Sequence, residues 1–411
     1  MTDRPRVLHI CPEYPPAAGG IADYTGKLTE ALAERGFDTR VLTSIRPTGL
    51  EGPGVSVAAS VQHWDRRLWS AAAAEIRAFR PDVLHIEYQY VMYEGHPAIA
   101  WLPAIQRARL RRPYIVTTLH DMTPPPLGPR WAGRLAFEAL LLTTDWLIVT
   151  TDANLRGAVR RPGLARRTSL VSVGSNITVH PIDDSGRKAD RASILRHPGA
   201  ALLVYFGLIR RGKGLEALID AVTAMRRRSV EVELAIVGDI GDGERIERQA
   251  YREDLIRQTR ELGLEGAVHM LGHLPEPRVS AVLQSCDLVV LPFEHGASPG
   301  HTTVLAALSH GAPLLTTRSS ATPAAFEDAM ALVDAPPDAP RLAEAIEQLM
   351  ADPARTRALA ARAVELASRH AQASIVEQVA TIYLEGIRRK ARGAEGPAQA
   401  PKTPTAISRL K

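Results

Sequence analysis

DLVVLPFEHGASPGHTTVLAALSHGAPLLTT, residues 287–317, decides the architecture. An apolar run (287–292) closes on a proline. A loop of Gly, Ser and His follows, then a helical stretch (302–310) and a second apolar run (312–317). Short continuous apolar runs joined through one helix predict two parallel strands buried on both faces. The loop is richer than a helix start requires. One hydroxyl suffices for a cap, yet Ser298, Thr302 and Thr303 supply three, and Gly296 and Gly300 leave backbone N–H groups bare. Bare amides ahead of a helix suit an anion or a sugar hydroxyl. The plain alternative is that Thr302 simply caps the helix.

The same alternation runs outward from this stretch. Upstream lie predicted strands 201–207, 232–238 and 267–272, with helices 214–228, 244–262 and 277–284. Nearer the N-terminus are strands 6–11, 39–43, 82–88, 114–119 and 146–150, with helices 20–35, 66–79, 98–110 and 131–143. Between the two series, about 174–198, the chain is polar and aperiodic and reads as a connection. The expectation is an α/β protein of two doubly wound halves: residues 1–178, a linker at 179–198, and residues 199–370. Helices are predicted at 339–350, 353–369 and 371–392, and the Pro/Ala/Gly-rich tail 393–411 is expected to be disordered. Ligands of open parallel sheets bind beyond the carboxyl ends of the strands, so two such halves facing one another would make a cleft.

Bulk properties narrow the class. A length of 411 residues suits two or three domains. At 45% hydrophobic and 23% charged the composition is globular, and no apolar run is long enough to span a bilayer. The start MTDRPRVLHICPEYPP enters a strand directly, without the form of a leader, and Cys11 and Cys286 lack metal or disulfide spacing. A cytoplasmic protein without bound metal is the expectation. The net charge of +5 is mild. Nucleic acid is not expected, since basic and aromatic residues do not interleave. Two arginine-rich segments, 107–113 and 156–167, are solvated faces on the plain reading. On the functional one they are a peripheral contact to the inner face of the membrane.

Five further loops after predicted strands are candidates for chemistry. Gly19 and Gly20 open a helix behind a Pro-rich segment, leaving its first N–H groups free. No G-x-G-x-x-G is present there, which disfavours a dinucleotide fold. His120 ends strand 114–119 and can give or take a hydrogen bond near neutrality. Arg210, Arg211 and Lys213 precede the helix starting near 214. Lysine is scarce here, at six residues, so one placed between Gly212 and Gly214 is a marked choice. Three cations at a helix N-terminus suit a diphosphate. The turn at Gly272-His273 offers backbone groups to a base edge, and 237–247 is either a pocket wall or an ordinary turn.

These pieces in this order resemble the retaining two-domain glycosyltransferases of family 4, the glycosyl group 1 transferases. The matching segments are GGIADYTGKLTEALAERGFDTRVLT, TTLHD, YFGLIRRGKGLEALIDA, LQSCDLVVLPFEHGAS and LAALSHGAPLLTT. The resemblance implies a GT-B fold, with two facing Rossmann-like domains and residues 371–392 crossing back to the first. It implies a nucleotide-diphosphate sugar as co-substrate, no other cofactor, and a glycan, lipid-linked or small-molecule acceptor. Gly19 and Gly20 would lie by the donor phosphate and sugar, and His120 by the sugar. Arg210 or Arg211, with Lys213, would pair with the diphosphate; Gly272-His273 would contact the base. Glu294 takes the place of the first acid of the family's Glu-x7-Glu motif. The second acid is missing: Thr302 stands eight residues on, and aligning AALSHGAP puts Ala306 in its place. A catalytically silent nucleotide-sugar-binding partner, or another GT-B enzyme such as an epimerase or phosphorylase, is the alternative to a transferase.

Overall fold

The computed structural model describes residues 4–392 apart from 18, 45–53, 110–111, 127, 241–244, 299 and 321. Its strands form two all-parallel sheets in two separate units, residues 1–173 with 372–411, and residues 174–371. The predicted tail 393–411 and part of the 237–247 turn lie outside the described residues.

The first unit holds β1 (Arg6–Ile10), β2 (Asp38–Ser44), β3 (Val55–Val61), β4 (Val83–Tyr88), β5 (Tyr114–Leu119), β6 (Trp146–Val149) and β7 (Thr168–Leu170). Their order in the sheet is β3-β2-β1-β4-β5-β6-β7. The connecting helices are α1 (Gly20–Glu34), α2 (Arg67–Phe79), α3 (Ala98–Arg107), α4 (Arg130–Thr143) and α5 (Asp152–Val159). β4 and β5 are buried at every residue, as strands covered on both faces must be.

The second unit holds α6 (Asp184–Ile194), β8 (Ala201–Phe206), α7 (Leu215–Arg227), β9 (Val232–Val237), α8 (Arg245–Glu261), β10 (Val268–Gly272), α9 (Glu276–Ser285) and β11 (Leu288–Leu291). It continues with α10 (Thr302–Ser309), β12 (Leu314–Arg318), α11 (Ala324–Glu327), β13 (Ala331–Asp334), α12 (Ala339–Ala351) and α13 (Pro353–Ser368). Strand order β10-β9-β8-β11-β12-β13 is that of the dinucleotide-type doubly wound sheet, and it reverses between β8 and β11.

The last helix, α14 (Gln372–Ala391), packs on the first unit. Gly386 is the contact that permits it. A Cβ there would fall 2.2 Å from the Tyr114 ring, so only glycine lets the helix lie against β5.

Three readings need correction. Residues 179–198 are not a free linker but carry α6, within the second unit. Asp183 caps it, accepting from Gly186 N at 2.7 Å, and charge seats it on its neighbours: Asp190 pairs with Arg278, and Arg191 with Asp287 at 2.6 Å. A helix held by ion pairs shows little apolar period. β3 escaped prediction because small residues make VSVAASV look like neither strand nor helix. β7, α11 and β13 were not predicted either, each being only three or four residues long.

Candidate active site

In the second unit the sequence-predicted residues converge where the strand order reverses. The β8–α7 loop (207–214) and the β11–α10 loop (292–301) follow adjacent strands. The two loops touch through backbone. Glu294 N–H donates to Gly212 O at 3.1 Å. Gly214 has φ 70°, and a Cβ on it would fall 2.0 Å from Pro292 O. A side chain at Gly207 would likewise press on Thr303 at 3.3 Å.

Lys213 sits in this junction. Its Nζ lies over the Phe293 ring, 4.5 Å from the centroid, a cation–π contact. No carboxylate pairs with it among the described residues. Burial first, and then the charge of Arg210, pull its ammonium down to about 7. His301 packs on the same Phe293 ring, centroids 4.3 Å apart and tilted by 30°, and its Nδ1 accepts from Ser298 N at 3.1 Å. Burial, then Lys213 and Arg210, push this imidazole down to about 3, so it stands neutral.

The two arginines part company. Arg211 turns away to Glu216 and Asp254, at 3.8 and 3.5 Å, and covers the Tyr251 ring. Arg210 stays exposed, near enough to Lys213 and His301 to depress both. Arg210, not Arg211, therefore shares the field of Lys213.

Both helices at this corner begin without a side-chain cap. α7 starts behind Gly214 and α10 behind His301. Thr302 is the first helical residue, so its hydroxyl is not the cap. Their first N–H groups and partial positive charge are left for a ligand. The loop is pinned from behind: Ala297 N donates to Thr317 O at 2.7 Å, and the Thr317 hydroxyl donates to Phe293 O at 2.5 Å. Gly296 (φ 81°) lies so close to Ser319 that a Cβ would fall 2.6 Å from its Oγ. Glu294 is exposed, and Gly300 likewise. The Gly272-His273 turn ends β10 at the sheet edge, two strands from β8, and Gly272 O accepts from Gly238 N at 2.9 Å.

Ala306, in the place of the family's second acid, is wholly buried in α10. Counting eight residues back from it lands on Ser298, inside the pinned loop.

In the first unit, Gly19 precedes α1 with no side-chain cap, and a Cβ on it would fall 2.9 Å from Glu13 Oε2. Gly20 is the first residue of the helix. His120 follows β5 and is held by Glu87, its Nε2 2.9 Å from Glu87 Oε2, both side chains almost wholly buried. The Tyr24 ring stands edge-on to the imidazole at 5.6 Å. Behind them His85 bridges the Tyr383 hydroxyl of α14 and Thr118 Oγ1, the latter at 2.7 Å. His9, His85 and Glu87 bring ligand-type atoms within 4.8 Å of one another. His85 commits both nitrogens and Glu87 Oε2 holds His120, whereas both ring nitrogens of His9 and Glu87 Oε1 are buried without a hydrogen-bond partner among the described residues.

Phe293, His301, Glu87 and Tyr24 were not among the sequence candidates. Glu87 left a signal, an acid near the end of the otherwise apolar strand VLHIEY. Phe293 and His301 lay inside the quoted loop, where aromatic stacking has no spacing rule to reveal it.

Two family models match the chain, "Glycosyl transferase 4-like domain" over residues 19–174 and "Glycosyl transferases group 1" over 186–366. The chain belongs to the group 1 glycosyltransferases. This transferase is 26% identical to a glycogen synthase of Mycobacterium tuberculosis over 93% of its own length and 95% of the relative's. Its fold matches sucrose-phosphate synthase from Thermosynechococcus elongatus at a TM-score of 0.74, 21% identity, covering 93% of this chain and 99% of that one. It also matches Anabaena HepE in complex with UDP-glucose at 0.68, 20% identity, covering 91% and 98%. The two parallel-sheet domains of the transferase are thus those of the GT-B class.

Proposed function

We propose that the transferase moves a glycosyl unit from a nucleotide-diphosphate sugar to a hydroxyl acceptor with retention of configuration, without a metal ion. The observation that carries the donor assignment is Lys213: a partly buried cation with no acid partner among the described residues, at the junction of two uncapped helices. An anion is the ligand such a site suits. A structural neighbour holding UDP-glucose supports the donor class.

In the proposed reaction the bond from the anomeric carbon to the leaving phosphate oxygen breaks, and negative charge grows on the diphosphate. Lys213, Arg210 and the amides at the starts of α7 and α10 stabilise that charge. Ser298, Thr302 and Thr303 are proposed to supply the grip that the absent second acid would give. His120 and Glu294 are proposed to orient the sugar, and Gly272-His273 to meet the base. The acceptor oxygen attacks on the face the phosphate leaves, and its proton passes to the leaving phosphate oxygen. The acceptor hydroxyl belongs to a glycan, a lipid-linked molecule or a small molecule.

The test is a thermal-shift screen of nucleotide-diphosphate sugars, followed by transfer assays with and without chelator and determination of the product anomer. A selective rise with one donor, and an α product from an α donor, are expected. Lys213→Ala should lower turnover by roughly 10²–10³ while keeping its denaturation midpoint. Donor binding with no transfer to any acceptor would instead identify a silent binding partner.

A further inference from the structure

We propose that the outer face of α4 docks on an anionic bilayer surface. The helix buries Gly133, Ala136, Phe137, Leu140 and Leu141 on one side. On the other, Trp131, Leu135 and Leu142 are 65%, 52% and 58% exposed. A surface helix ordinarily turns polar residues outward. At about 100° per residue these three fall within an arc of about 40°, so they form one stripe. Seven large apolar side chains are exposed among the described residues, and three of them are here.

Arginines ring the stripe. Arg130 and Arg134 are exposed on α4 itself and meet no acid among the described residues. Arg161 pairs with Glu138 at 3.0 Å, midway along the helix. Arg107 and Arg167 reach the carbonyls of Thr143 and Leu142 at its far end, at 2.8 and 3.4 Å. Arg107 from the first arginine-rich segment, and Arg161 and Arg167 from the second, thus flank the apolar ridge.

This combination fits a headgroup layer. Tryptophan favours the membrane–water interface, and leucines one and three turns along enter to the same depth. Arginine lays its stem on apolar surface and keeps its guanidinium among the phosphates. A second copy of the chain fits poorly, because a two-fold pairing would set this arginine ring against itself. Among the described residues no helix is long and apolar enough to cross a membrane, so the contact is peripheral.

The test is co-sedimentation of the full chain with vesicles of phosphatidylcholine containing phosphatidylglycerol, against phosphatidylcholine alone, at two salt concentrations. Binding to the anionic vesicles only, weakened by salt, is expected. Trp131→Ser with Leu135→Ser should weaken it roughly tenfold or more. Failure of the parent chain to bind, equal binding to both vesicle types, or undiminished binding of the double variant would overturn the proposal. So would a concentration-dependent dimer, lost in the double variant, without vesicle binding; that result assigns the face to a second copy. A protein ligand captured by the stripe without lipid binding would overturn it too. The double variant should keep the parent's thermal response to nucleotide sugar, so a failure here leaves the donor assignment standing.

Discussion

Lys213 carries its charge where the surroundings oppose it. Burial and Arg210 bring it to about 7, so near pH 8 the Lys213 side chain is mostly neutral in the ligand-free protein. A bound diphosphate favours the ammonium and raises that value. Binding near pH 8 must therefore take up a proton, and affinity must fall as pH rises above 7. Titration calorimetry of nucleoside diphosphate at pH 8, in buffers of different ionisation enthalpy, should show uptake approaching one proton. Lys213→Ala should show less; equal uptake in the two proteins would contradict the assignment. His301, held near 3, contributes an acceptor rather than charge across the same range. In the first unit, Glu87 fixes the ring of His120 at 2.9 Å. Glu87→Gln is expected to slow turnover roughly 10–100-fold, as loss of a histidine's orienting partner does, with donor affinity kept. Steady-state kinetics beside a denaturation curve separate that from misfolding. Lys213 was legible because lysine is rare in the chain. Glu87 was not, because a buried acid's role depends on what the neighbouring strand places opposite it.

At the scale of elements, glycines set how closely the two site loops approach. Gly212 and Gly214 both have positive φ, 84° and 70°, but only Gly214 has a neighbour within reach of a Cβ. Gly212→Ala should cost about 1–2 kcal/mol, the left-handed penalty alone. Gly214→Ala must also push back the Pro292 carbonyl, so it should cost more and weaken the nucleotide response. Urea denaturation of both variants checks the order. A milder Gly214→Ala would show that the loops do not need their contact. Most strands were readable, since strands buried on both faces are continuous apolar runs. α6 was not, because its buried residues are Asp190 and Ile194 and its packing rests on ion pairs. The convergence of Lys213 with 292–301 was readable only as two loops of one sheet. Strand order, which no local pattern encodes, made them neighbours.

On the scale of the whole molecule, the second unit is one continuous segment, whereas the first is closed by a helix from beyond it. The fragment 174–371 should fold alone and retain the Lys213 corner, as amide exchange and nucleotide thermal shift would show. Removal of residues from 372 onward should destabilise the first unit only, since Tyr383 and Gly386 leave the β4–β5 face with it. Uniform destabilisation of both units would refute that division. Translation runs from one end, so β4 and β5 leave the ribosome long before α14 does. During the synthesis of residues 174–371 the nascent first sheet waits with Tyr114 and His85 uncovered. The interval is set by elongation rate, and it is then that a chaperone would have most to shield.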